Sequence, residues 1–235
     1  MKFSIILLFI ITHGAVISQN TGITGEKRRM AIRYNLNAYD LYNKHFSGEK
    51  ELPDEYLGTP YLFDDFLPGK IYFDDQLYTS NSFLRYNLYL DQLEIKESNN
   101  ENQYGVITKE LGLTFEISDS KYEVMKTEGG ELQFFELAFS GKNYSFYKRN
   151  QKKYYAPKLA QTSLTRDSPA SFKDEIVYYY ENNEGVLIEI PTSKRKLSEI
   201  FGDKETRVAK FIKTYKINPK KDDDLRRLFS FVDEL

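Results

Sequence analysis

The sequence predicts a mainly β protein: an antiparallel meander of about ten strands, forming a curved sheet, a sandwich or a barrel-like body, with a C-terminal helical cap. Three observations carry this. Apolar residues between 58 and 190 recur with a period of two. The breaks between these runs are too short for the crossover helices of a parallel sheet. From 191 onward the period changes to 3.6.

The strands can be taken in order. Leu84, Tyr86, Leu88 and Leu90 share one face, with Arg85, Asn87 and Tyr89 on the other. Leu113, Phe115 and Ile117 alternate with Thr114 and Glu116. Leu132 and Phe134 take one side, while Phe135, Leu137 and Phe139 take the other. Val186, Ile188 and Ile190 alternate with Leu187 and Glu189. Turn signals separate them at Asp74-Asp75, Ser98-Asn99-Asn100, Ser118-Asp119-Ser120, Glu128-Gly129-Gly130, Gly141-Lys142-Asn143 and Asn182 to Gly185. The stretch 157–174, with Pro157 and Pro169 and no alternation, reads as a long loop.

The cap follows from three stripes: Leu197, Ile200 and Phe201; Val208, Phe211, Ile212 and Tyr215; and Leu225, Leu228, Phe229 and Val232. Gly202 is placed to end the first helix, with Asp203 and Asp222 placed to cap the second and third. Upstream, Tyr34, Ala38, Leu41 and Tyr42 predict a short helix over about 30–46 within an N-terminal segment spanning 19–57. The expected organisation is a signal peptide over 1–18, that segment, a β domain over 58–190, and a cap over 191–235 packed on it.

The leader is read from Lys2, the apolar run Phe3 to Ile11, and a small residue before a polar one at Ser18-Gln19. The run is about half the ~17–25 residues that a membrane-spanning helix needs. The expected location is therefore the periplasm or cell surface, outer-membrane association included, with no transmembrane segment in the mature chain. A transmembrane β-barrel fits poorly, because charges fall on both faces of several strands and the chain ends in amphipathic helices.

Composition narrows the chemistry. With no Cys there is no disulfide framework, thiolate metal site, cysteine nucleophile or lipid-modified cysteine. A net charge of −2 argues against an open basic face for nucleic acid. The two histidines, His13 and His45, cannot build a His-rich metal site once the leader is removed. No phosphate-binding glycine loop, zincin motif or nucleophile elbow is present. Asp64-Asp65, Asp74-Asp75 and Asp222 to Asp224 read as turn and cap chemistry rather than calcium sites. No metal, cofactor or catalytic residue is assigned.

Four features remain as candidate contacts. Tyr154, Tyr155, Tyr178, Tyr179 and Tyr180 supply aromatic area to a partner if their outer strand face is open. Lys142, Lys148, Arg149, Lys152 and Lys153 surround a hairpin at 144–156, suited to an acidic glycan or anionic membrane, or to protecting a strand edge. Asp64, Asp65, Glu94 and Glu116 are the carboxylates available to a glycan-active enzyme, although spacing selects no pair. The ending Val232-Asp233-Glu234-Leu235 is similar to an ER-retention tail, but Val232 also completes a helical stripe.

The run Gly58-Thr59-Pro60-Tyr61-Leu62-Phe63-Asp64-Asp65-Phe66, then Pro68 to Tyr72, Leu84-Arg85-Tyr86-Asn87-Leu88-Tyr89, and Leu93-Glu94-Ile95 resembles a family of uncharacterised exported β-rich proteins of Bacteroidota. The resemblance implies export, a β-rich fold and a Lys-rich helical tail, and no activity. It implies that the motif segments are neighbouring strands, with Arg85 meeting Asp64 or Asp65 as a structural ion pair. The function expected is non-catalytic binding or support of another cell-envelope component, such as an envelope protein, an outer-membrane complex or a glycan. The alternative is a carboxylate-dependent glycan-active enzyme.

Overall fold

A computed structural model describes residues 32–34 as backbone, and 56–100, 103–160, 166–182 and 184–235 in full. The strands are β1 (Ile32–Tyr34), β2 (Tyr56–Leu57), β3 (Leu67–Phe73), β4 (Gln76–Asn87), β5 (Gln92–Lys96) and β6 (Gly105–Ile107). They continue as β7 (Leu113–Ile117), β8 (Ser120–Lys126), β9 (Leu132–Ser140), β10 (Ser145–Tyr155), β11 (Ala170–Glu181) and β12 (Leu187–Glu189). Helices α1 (Lys194–Glu199), α2 (Glu205–Thr214) and α3 (Asp222–Asp233) follow, with a 3-10 turn at Gly202–Lys204.

All the strands join one sheet in the order β1-β6-β5-β4-β3-β7-β8-β9-β10-β11-β12, with β2 also on β11. Every pairing is antiparallel except that of β2 with β11. The sheet is mixed and not closed, so the mainly β class with C-terminal helices holds.

The sheet curls tightly. Tyr86 on β4 and Phe134 on β9 are four strand steps apart, about 19 Å on a flat sheet. Their ring centroids lie 5.5 Å apart. Phe115 and Tyr122 fill the space between, stacked at 4.9 Å. Leu84, Leu93, Leu113 and Ile117 complete this first core. Beyond Lys148, where its pairing with β9 ends, β10 meets the β4–β5 turn instead, and Lys152 N–H donates to the Leu88 carbonyl at 3.4 Å.

A second core lies under the helices. Phe146 and Tyr178 from the sheet meet Leu197, Phe201, Val208, Ile212, Leu225, Leu228, Phe229 and Val232. All eight belong to the three sequence stripes; Ile200 and Phe211 pack partly buried against them, whereas Tyr215, expected on the second stripe, is exposed. A third cluster of Phe135, Tyr147 and Leu187, with Tyr179 against it, covers the opposite face.

Several local expectations differ from what is observed. Ile32–Tyr34 form a strand on the β6 edge rather than helix; the rest of the expected 30–46 helix lies outside the described residues, as does the leader. Ala170–Asp174 belong to β11, which β10 holds in register, rather than to a loop. A β-bulge at Ala138 breaks the alternation of β9, so Phe139 shares the face of Phe146 rather than that of Phe135. Leu187 is buried in the third cluster rather than outward. Neither Asp203 nor Asp222 is an N-cap. Lys204 and Lys221 hold those positions without side-chain caps, and Asp222 to Asp224 sit inside the first turn of α3, where their negative charge complements the positive end of the helix dipole.

Candidate functional site

The motif segments converge on Arg85. Residues 60–62 run beside β4: Leu62 N–H donates to the Tyr86 carbonyl at 2.9 Å and Tyr89 N–H to the Pro60 carbonyl at 3.1 Å. Gly58 enters this arch at φ +80°, where a Cβ would stand 2.7 Å from the Phe172 carbonyl oxygen. Only glycine tolerates both conditions. The segments are thus neighbours, but 58–66 run as an irregular arch with one isolated bridge, Tyr61 to Asn87, rather than as the strand expected.

Arg85 lies on β4 directly opposite Glu94 on β5. Its Nε and Nη2 donate to Glu94 Oε2 at 2.8 and 2.7 Å. The expected pairing with Asp64 or Asp65 takes a different form: Arg85 Nη1 reaches the Asp64 backbone carbonyl at 3.4 Å. The register explains this, because a cross-strand neighbour is closer than a side chain on the arch. Three rings surround the guanidinium, Tyr61 at 4.0 Å, Phe66 at 4.3 Å and Tyr104 at 5.5 Å, a cation–π arrangement. Burial raises the pKa of Glu94, a rise that Arg85 opposes. Burial and the charge of Glu94 push the Tyr104 hydroxyl up to about 12. Burial is likewise the main cause of the rise at Tyr61.

An open cleft of about 670 Å³ lies against this cluster, lined by Asp64, Asp65, Phe66, Arg85, Lys96, Asn99 and Tyr104. The Asp64 and Asp65 residues are exposed. Lys96 Nζ rests over the Phe66 ring at 4.4 Å. The cleft therefore offers acceptors, an amide and a cation on a rigid aromatic base. Of the four carboxylates considered for hydrolysis, Glu94 is committed to Arg85. Glu116 lies on β7, accepting the Tyr72 hydroxyl at 3.0 Å and facing Lys70 at 3.5 Å. Among the described residues no cluster of side chains suits a metal ion.

A second polar cluster is structural. Asp91, buried at φ +53° in the β4–β5 turn, accepts the Tyr86 hydroxyl and the Lys109 ammonium. Arg149 Nη2 lies 3.9 Å away. This staple ties the turn to β10 where the curl meets itself. Burial and the Asp91 charge push the Tyr86 hydroxyl well up.

The five candidate tyrosines separate. Tyr178 is 6% exposed in the helical core. Tyr179 packs on Phe135 at 5.0 Å and Tyr180 against the helical core. Tyr154 lies against Phe172 at 5.4 Å. Tyr155 alone of the five is exposed. The C-terminal Val232 is buried, and Asp233 accepts backbone N–H groups of Lys142, Asn143 and Tyr144 at 2.7, 2.6 and 3.2 Å. That tail is docked.

Tyr61, Phe66, Lys96, Asn99 and Tyr104 were not singled out from the sequence as site residues. Their signal was proximity to the motif segments, which the hairpin register turns into contact. No family model, curated protein or solved structure matches this chain. No helix among the described residues is long and apolar enough to cross a membrane.

Proposed function

We propose that this chain is an exported, non-catalytic binding protein that contacts another cell-envelope component through the Arg85 cleft. The observation that carries this reading is the commitment of the strongest charges. The Arg85 guanidinium and the Glu94 carboxylate satisfy each other at 2.7 Å beneath three rings. Such a pair builds a rigid floor and leaves neither group free as acid, base or nucleophile. Hydrolysis by two carboxylates needs one as proton donor and one on the other side of the scissile bond. The exposed pair, Asp64 and Asp65, are neighbours on one arch. They suit hydrogen bonding to hydroxyl, amide or ammonium groups of a ligand.

The test compares the purified chain with Asp64→Asn/Asp65→Asn and Lys96→Ala for retention of fractionated envelope glycans and proteins, with hydrolysis followed in the same samples. The reading expects specific retention that weakens in the variants, unchanged thermal stability, and no turnover. Glycan hydrolysis lost in the aspartate variant would overturn it in favour of the enzyme.

A further inference from the structure

The far end of the β10–β11 hairpin extends past β9 and the helices, held there by β2 on β11 and by the β4–β5 turn. Between residues 151 and 175 the sequence has five cations, Lys152, Lys153, Lys158, Arg166 and Lys173, against Asp167, Asp174 and Glu175. Most charges nearer the sheet are engaged. Lys148 pairs with Glu136 at 2.9 Å, Arg149 turns toward Asp91, and Lys152 pairs with Asp174 at 2.7 Å. Gln151 donates to Glu175 at 2.8 Å, and the Ala160 N–H to Asp167 at 2.7 Å.

Lys153 and Lys173 are different. They stand directly opposite each other in the ladder. Both are exposed, and among the described residues no carboxylate forms an ion pair with either. Their ammonium groups lie 5.9 and 5.0 Å from the Tyr155 ring centroid. Like charges directly opposite on a sheet destabilise it. An anion bridging the two would reverse that cost.

Apolar groups accompany them. Ser171 pairs with Tyr155 on one side and Leu57 on the other, so these three share the outer face beside the lysines. Tyr155 is 41% and Leu57 61% exposed, and Leu159 at the same end is 82% exposed. Lysines flanking exposed tyrosine and leucine match the composition of a membrane interface: charge at headgroup level, apolar groups below.

We propose that this tip is a docking element for an anionic lipid surface, with Lys153 and Lys173 on the headgroups and Tyr155, Leu57 and Leu159 at the acyl boundary. It is separate from the Arg85 cleft and stands or falls independently of it.

The test is sedimentation with vesicles of phosphatidylcholine alone and of equal parts phosphatidylcholine and phosphatidylglycerol. It uses the full chain and the chain beginning at Gln19, so that the apolar N-terminal run cannot supply the signal. The expected result is salt-sensitive binding to the anionic vesicles only. It should be about 30-fold weaker in Lys153→Ser/Lys173→Ser, since each basic residue near such a surface contributes a factor of about five. Equal binding to both vesicles, unchanged binding by the double variant, or capture by polyglutamate beads without vesicle binding would overturn the proposal.

Discussion

The two ends of the β10–β11 hairpin use the same residue types to opposite effect. At the near end Phe146, Tyr178 and Tyr180 face Phe229 and the helices, and Lys148 is neutralised by Glu136. At the far end Tyr155 is open and Lys153 faces Lys173. The ladder runs on unchanged between them. What changes is the company: pairing with β9 ends at Lys148, and the helical core reaches only the near end. A cluster of tyrosines or lysines thus has no fixed meaning until its neighbours are known.

The largest effects should come from the near end and from the caged pair. Phe146→Ala removes a fully buried ring beside Phe229 and should cost about 3–5 kcal/mol, measured by denaturant unfolding. Arg85→Ala leaves Glu94 buried without its partner and should cost a similar ~3–5 kcal/mol. The double variant Arg85→Met/Glu94→Leu should recover much of that loss.

Asp233→Asn should have a smaller, pH-dependent effect. Three backbone N–H bonds to the turn at 142–144 hold the Asp233 carboxyl below its ordinary range. The carboxylate therefore stabilises the fold above the unfolded aspartate pKa of about 3.9. That contribution disappears as pH falls through the lower folded value. Acid unfolding of the wild type should show this loss, and the variant should lack it. Gly141→Ala offers a check on the same contact, because its Cβ would meet the Asp233 carboxylate at 2.6 Å.

These contrasts show what was legible in the sequence. Period-two runs such as Leu113, Phe115 and Ile117 reveal which side is buried, because alternation is local. The stripes of the cap are legible for the same reason. The bulge at Ala138 is not, since an unpaired residue shows only against its partner strand. At Ile32–Tyr34 a helical spacing yields to the free edge of β6, a tertiary choice that no local pattern reports. The motif around Arg85 is visible as residues, but its partner is fixed by the register of Arg85 with Glu94. The Asp91 staple needs the whole curl to bring Tyr86, Lys109 and Arg149 together.

The smallest expected effect on stability is also the most telling. Lys173→Glu converts the like-charged pair opposite Lys153 into an attractive one, which should stabilise the fold by about 0.2–1 kcal/mol. The same change removes positive charge from the proposed docking tip. Measuring thermal unfolding and anionic-vesicle binding on one preparation of this variant therefore separates fold from contact. The account predicts an unfolding temperature equal to or above that of the wild type, together with loss of vesicle binding. A lowered unfolding temperature, or vesicle binding kept at the wild-type level, would contradict it.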